Sequence, residues 1–446
     1  VGAIRLYQQE VNDMFRMSLK QSMRALGVAL SILSSVSSAG ATQDTLFVWA
    51  SDAKHKAADF LAVVDFDIGS PTYGKILKTV PLPFSLPTAI PLSTGAIGNE
   101  PHHVGISADG KTLAGGGLLS ILRVQNQNFV FDIENPRAPK FLKANTLPLT
   151  ASIADEYVPL SRGGFLTTFM GGAAGEAPGR VVEYDGAYNE VGQWPLVPPL
   201  DDFNPHGIAI DEAHNLLLTS DFVCPLHTLN LPSGHTEFRG AVRVWDLEQR
   251  TITKKIVIGD PEIPAGTINV ELIPHDDQLR AYVSGVNDGK LYLVNTQPGT
   301  AQVAVDFNYL ATPSAPKPWP HLFKINKAGT RLALTLNFQG KDGKVVLLDI
   351  EDREHPSVLS IADLGANSGP HYITWSPDES RVVVADYFLV QDLFPSGVVQ
   401  VDGDHKIRVF KTAGDVLTAD TAFDLDFNRD VGTGKARPHG IAIVRH

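Results

Sequence analysis

A seven-bladed β-propeller is the fold that this sequence predicts, and three features predict it. A short strand ending in an acidic or amide residue recurs seven times. Between its copies recurs a hairpin phrase that opens on Pro-His. The last hairpin is cut short by the C-terminus, and the N-terminus holds the strands it lacks. A repeat split between the chain ends closes a ring, which removes exposed strand edges. A solenoid would instead need atypical capping repeats.

The first element runs Ala62–Asp65, Phe129–Asp132, Val182–Asp185, Val244–Asp246, Leu293–Asn295, Val346–Asp349 and Val399–Asp402. The clearest hairpin is Pro370-His371-Tyr-Ile-Thr-Trp-Ser376-Pro-Asp378, followed by a second strand from Arg381. Alternation around a tight polar turn is a hairpin signal. The phrase returns at Pro101-His102, Pro205-His206 and Pro320-His321. Two weaker copies run from Glu156 to Thr168 and from Glu271 to Val283, and Pro438-His439 opens the truncated one. Leu46–Trp49 and Leu61–Asp65 supply its missing strands. Such fixed-period repetition is read before local propensity.

Composition agrees with this reading. The 446 residues are 43% hydrophobic and 19% charged, with 39 Gly and 30 Pro, as a turn-rich globular chain requires. The net charge of −12 and the absence of a basic run argue against nucleic-acid binding. The single cysteine, Cys224, excludes internal disulfides; Fe–S clusters and Cys-based zinc sites are not expected either, and it reads as a buried residue.

Residues 1–41 read as a leader with a secretory signal peptide, and 42–446 as one propeller domain. Lys20 and Arg24 precede the apolar run Ala25–Leu33, and Ala39-Gly40-Ala41 is a small-x-small cleavage site. The run is too short to span a bilayer. The expected location is therefore periplasmic or secreted, in a bacterium, with no membrane span. Met17 is the expected start.

Aligned on one another, the hairpins place His102, Glu156, His206, Glu271, His321, His371 and His439 in one column. The innermost strand of each blade lies beside the axis, so the column forms a ring, with His103 beside His102. Five imidazoles cannot all be protonated at close quarters, and neutral imidazole suits copper, iron or zinc. His102, His103, His206, His321, His371 and His439 are the expected metal ligands. Glu156 and Glu271 are the expected catalytic groups, ligating directly or orienting histidines and moving protons. The insertions Pro225–Gly240, Ala311–Pro320 and Tyr387–Gly397 are candidates to line a pocket mouth.

Several stretches resemble the selenium-binding protein / methanethiol oxidase family. They are His102-His103, Arg180–Asp185, His214 through Asp246, Gly369-Pro370 with the strands after it, Tyr387–Asp402, and His439 after Phe423–Phe427. The resemblance implies a seven-bladed propeller and a periplasmic copper enzyme. Such an enzyme turns methanethiol, dioxygen and water into formaldehyde, hydrogen sulfide and hydrogen peroxide. His102, His103 and His439 match the family's metal-site histidines. The family's His-x-x-His-Cys stretch is here Ile153-Ala154-Asp155-Glu156-Tyr157, and its selenium-associated cysteine has no counterpart. The expected function is thus a copper-dependent oxidoreductase acting on a small sulfur compound, with dioxygen as a possible co-substrate and iron as the alternative metal. The competing reading is a non-catalytic metal-binding or interaction propeller. Iron oxygenases and thiocyanate-dehydrogenase-like copper enzymes share the logic only by analogy. A lactonase would want Glu, Asn and Asp around a hard cation.

Overall fold

The computed structural model describes residues 43–86, 88, 94–145, 150–229, 236–315, 317–391 and 400–446. The leader and signal peptide expected over 1–41 lie outside the described residues. Asp44–His446 forms one compact unit.

Blade 1 closes the ring. Its innermost strand is the C-terminal Ala436–Arg445, and Asp44–Asp52, Phe60–Asp65 and Ile76–Pro81 follow outward. Val48 pairs with Ile441 and Ala50 with Pro438, so the split repeat is joined as the sequence predicts. Blades 2 to 6 run outward from inner strands at Pro101–Ile106, Ser152–Pro159, Pro205–Asp211, Thr267–Leu272 and Trp319–Ile325. Blade 7 starts with the three-residue strand Ile373–Trp375. Each sheet is antiparallel and meets its neighbours face to face. Middle strands such as Phe60–Asp65 are consequently buried on both faces, whereas the outermost Thr251–Val257 alternates exposed positions with half-buried ones and the buried Ile256.

The recurring acidic residue has a local cause. Asp132 accepts a hydrogen bond from the Glu134 N–H at 2.9 Å, Asp185 from Ala187 at 2.9 Å, and Asp349 from Glu351 at 2.9 Å. Each carboxylate closes the turn between the third and fourth strands, which is the Asx-turn preference of aspartate.

One copy of that strand is corrected. Gln400–Val401 pairs with Leu389–Val390 in a separate two-stranded ribbon, and Val399 lies outside the described residues. The third strand of blade 7 is Lys406–Lys411, paired with Arg381–Ala385. An apolar pair followed by an acid fits a loop ribbon as well as a blade strand, so the phrase misled where an insertion carries it.

The Pro-His-Gly phrase is also explained by packing. A Cβ on Gly440 would lie 2.3 Å from the His102 carbonyl oxygen, and one on Gly207 would lie 2.9 Å from the Val270 nitrogen. Inner strands of adjacent blades approach too closely there for a side chain.

Asp65 ends the third strand of blade 1 and accepts hydrogen bonds from Ser70, Thr72 and Arg137. Burial raises its carboxyl, but these donors outweigh burial and bring its pKa down to about 2. The stabilisation is therefore present above the ordinary aspartate range and fades as pH falls through about 2. Asp65→Asn is expected to lose about 1–3 kcal/mol at pH 7. In urea unfolding, the gap between the two proteins should narrow steadily below about pH 4.

Candidate metal centre

The inner strands share a register irregularity that sets which residues face the axis. Pro101 pairs with Gly117 and Val104 with Gly115; Pro205 pairs with Asp221 and Ile208 with Thr219. In blade 3 the same step falls between Ala154 and Tyr157, and in blade 5 it begins at Thr267. The aligned column is thus His102, Asp155, His206, Ile268, His321, His371 and His439. This corrects the column read from sequence, which placed Glu156 and Glu271 in it. Glu156 falls one residue further along, level with His103 and Gly207. Glu271 falls three residues past the column.

Six histidines converge, all buried. His102 stacks on His103 with ring centroids 4.4 Å apart and lies 3.9 Å from the His439 ring. His103 Nε2 is 3.1 Å from His371 Nε2, and His371 Nδ1 is 2.9 Å from His321 Nδ1. Two overlapping groups have donor atoms within 4.8 Å of one another. One is His102, His103, His371 and His439; the other is His102, His103, Asp155 and His206. His321 joins through its ring contact with His371.

Asp155 is the residue that sequence reasoning missed. Its Oδ1 is 2.8 Å from His103 Nδ1, and its Oδ2 is 3.2 Å from His206 Nε2. Matching the dipeptide Asp155-Glu156 to His102-His103 would have found it, but Ala154 replaces the proline that marks the other copies. Glu156 Oε2 lies 2.7 Å from His103 Nδ1, so it orients that ring. The structure does not bring Glu271 to the histidines. Its carboxylate takes Lys324 as an ion-pair partner and accepts the Ile325 N–H at 2.9 Å.

Electrostatics divide the cluster. Burial lowers His102, His371 and His439 well below the usual imidazole range, and the neighbouring rings push them further down. His206 is lowered by burial, and His321 falls to about 3. His103 is the exception. Burial lowers it, yet Asp155 and Glu156 outweigh burial and hold it at about 9. Burial raises Glu156, but His103 outweighs that and brings it to about 2. Buried nitrogens without hydrogen-bond partners include both of His439, Nδ1 of His102 and His206, and Nε2 of His321.

An apolar cavity opens onto His102, Asp155 and His206. Leu118, Met170, Phe222, Trp319, Phe388 and Leu389 line it, with Pro225, Thr228 and Phe238 beside them. All three predicted insertions contribute. Phe388 packs 4.6 Å from both the His321 and His371 rings. Phe394 lies outside the described residues.

Two-dimensional NMR of chelator-treated protein checks this division. The His103 ring should titrate near 9 and His321 near 3. Glu156→Gln should move the His103 value down by one unit or more, about 1.4 kcal/mol of lost ion pairing.

Comparisons with known proteins place the chain. The profile of the family described as "56kDa selenium binding protein (SBP56)" matches residues 34–306. A methanethiol oxidase of Hyphomicrobium sp is 23% identical over 398 residues, which cover 83% of this chain and 80% of that protein. A mouse methanethiol oxidase is 23% identical over 227 residues, and the match spans 47% of this chain and 45% of the mouse protein. Among solved structures, a hypothetical selenium-binding protein from Sulfolobus tokodaii superposes with a TM-score of 0.72 at 18% identity, covering 91% of this chain and 94% of that one. The periplasmic gluconolactonase of Pseudomonas aeruginosa, with a TM-score of 0.59 at 11% identity, shares the fold alone. With the family profile covering more than half of its length, the chain belongs to the 56 kDa selenium-binding protein family.

Proposed function

We propose that this protein is an exported, copper-dependent oxidoreductase that acts on a small sulfur compound such as methanethiol. The observation that carries the proposal is the pair of overlapping donor groups, three of whose members, His102, Asp155 and His206, line an apolar cavity. The donor set fits a metal. Both His439 nitrogens and one each on His102, His206 and His321 are buried without partners, an arrangement that costs free energy unless a ligand satisfies them. Imidazole-rich sets suit copper, with iron as the alternative because Asp155 adds a carboxylate. His102, His103, His206, His371, His439 and Asp155 would hold the metal, with His321 behind His371. Copper held there supplies one-electron redox chemistry and activates dioxygen.

The chain's own residues account for the rest. Phe222, Trp319, Phe388 and Leu118 would seat an apolar alkyl group and exclude water. Asp155 presents carboxylate oxygens at the cavity floor and would accept the S–H proton of a thiol. Glu156 keeps the His103 ring in one orientation through Nδ1, leaving Nε2 to ligate once it has given up its proton. The names of the methanethiol oxidase relatives support this substrate class. The signal-peptide pattern before Gln43 supports export.

Metal analysis with EPR on protein exported to a bacterial periplasm tests the reading. Stoichiometric copper is expected, and His206→Ala/His371→Ala should weaken its retention by more than about 100-fold. The loaded protein should release hydrogen sulfide and hydrogen peroxide from methanethiol under air, and the variant should not. A protein that takes up no metal under full loading would leave a non-catalytic propeller. Iron in place of copper would overturn the assigned metal.

A further inference from the structure

Away from the central histidines, one other group of donors converges among the described residues. Cys224, His227 and Glu237 each offer one ligand atom, and these atoms lie within 4.8 Å of one another. We propose that they form a separate metal site for a borderline-soft ion of the zinc class, at the rim of the apolar cavity. The proposal is independent of the copper reading.

The local chain builds the site. Cys224 follows the second strand of blade 4, Leu216–Val223, and the one-turn helix Pro225–Leu229 comes next. The Thr228 N–H donates to the Cys224 carbonyl at 3.0 Å. That turn brings residues 224 and 227, three apart, onto one side. Glu237 stands just before the third strand, and its carbonyl accepts the Cys224 N–H at 2.9 Å, which fixes the two segments together. Arg239 Nη1 holds Glu237 Oε1 at 2.7 Å, and Asn204 Oδ1 in turn accepts from Arg239 Nε at 2.9 Å. The other oxygen, Oε2, is left facing His227 Nδ1.

The chemistry of the three donors is specific. A thiolate, an imidazole and a carboxylate together are a zinc-type set, with a fourth position for water or another ligand. Cys224 is free and buried, whereas His227 and Glu237 are 46% and 32% exposed. An ion can therefore reach the carboxylate and imidazole from solvent and meet the thiol beneath them. On binding, the Cys224 thiol loses its proton to solvent as the sulfur–metal bond forms. The direct His227–Glu237 contact opens to admit the ion. No electron is transferred. Pro225, Thr228 and Thr236 line the cavity, so the bound ion would tie this wall to the third strand.

Cobalt(II) is the probe, because a sulfur-to-cobalt charge-transfer band in the near ultraviolet reports only thiolate ligation. Cys224 is the single cysteine, so cobalt at the histidine centre cannot produce that band. Titration of the full chain should give a band whose final amplitude corresponds to one thiolate-bound cobalt per chain and that zinc displaces. His227→Ala and Glu237→Gln, both at partly exposed positions, should keep the fold by circular dichroism and weaken cobalt binding at least tenfold. Cys224→Ser should abolish the band. Absence of the band in the folded wild-type chain overturns the proposal. So does a band whose affinity is unchanged in both His227→Ala and Glu237→Gln, since the thiol would then act alone.

Discussion

Everything at the axis depends on the pairing of the C-terminal strand, Ala436–Arg445, with the N-terminal Asp44–Asp52. A propeller blade left without its inner strand would expose backbone donors and acceptors to the channel, and its neighbours would lose the surface against which they pack. Side chains lock this closure. Arg445 makes two hydrogen bonds to Asp44, at 2.8 and 2.9 Å, and Arg381 of blade 7 reaches the same carboxylate at 3.3 Å. On the other side, the Trp49 indole N–H donates to Gly116 of blade 2 at 2.7 Å. His439 is carried by the closing strand, so the ring that completes the fold also completes the histidine cluster.

That cluster is an unusual use of a protein interior. Burial penalises every imidazolium, and each charged ring would penalise the next. The molecule answers by keeping most rings neutral and confining positive charge to His103, between Asp155 and Glu156. Neutral imidazoles with unpartnered nitrogens are ready ligands. The arrangement is stable chemistry for a metal centre and costly chemistry for packing alone.

The outer features follow a different logic. The blades supply a rigid frame, and the insertions between strands supply the cavity walls and the Cys224 group. Loops on a fixed scaffold can change their side chains without disturbing the ring. Relatives with the same fold can thus differ in what they admit to the axis.

The sequence by itself determined the blade count, the split repeat and five of the seven axial positions. Those rest on period, turn chemistry and the Pro-His phrase, which are local signals repeated often enough to align. The tertiary structure decided the other two. Asp155 and Ile268 hold the positions that the sequence alignment assigned to Glu156 and Glu271, which fall one and three residues further along, because Ala154 and Thr267 stand where the other copies carry the proline that marks the phrase. It also decided that Glu271 faces Lys324, that the strand after Leu389 leaves the blade, and that Cys224 meets His227 and Glu237. Each of these depends on strand register or on contacts between distant segments, and register is settled only when the facing surfaces are packed together.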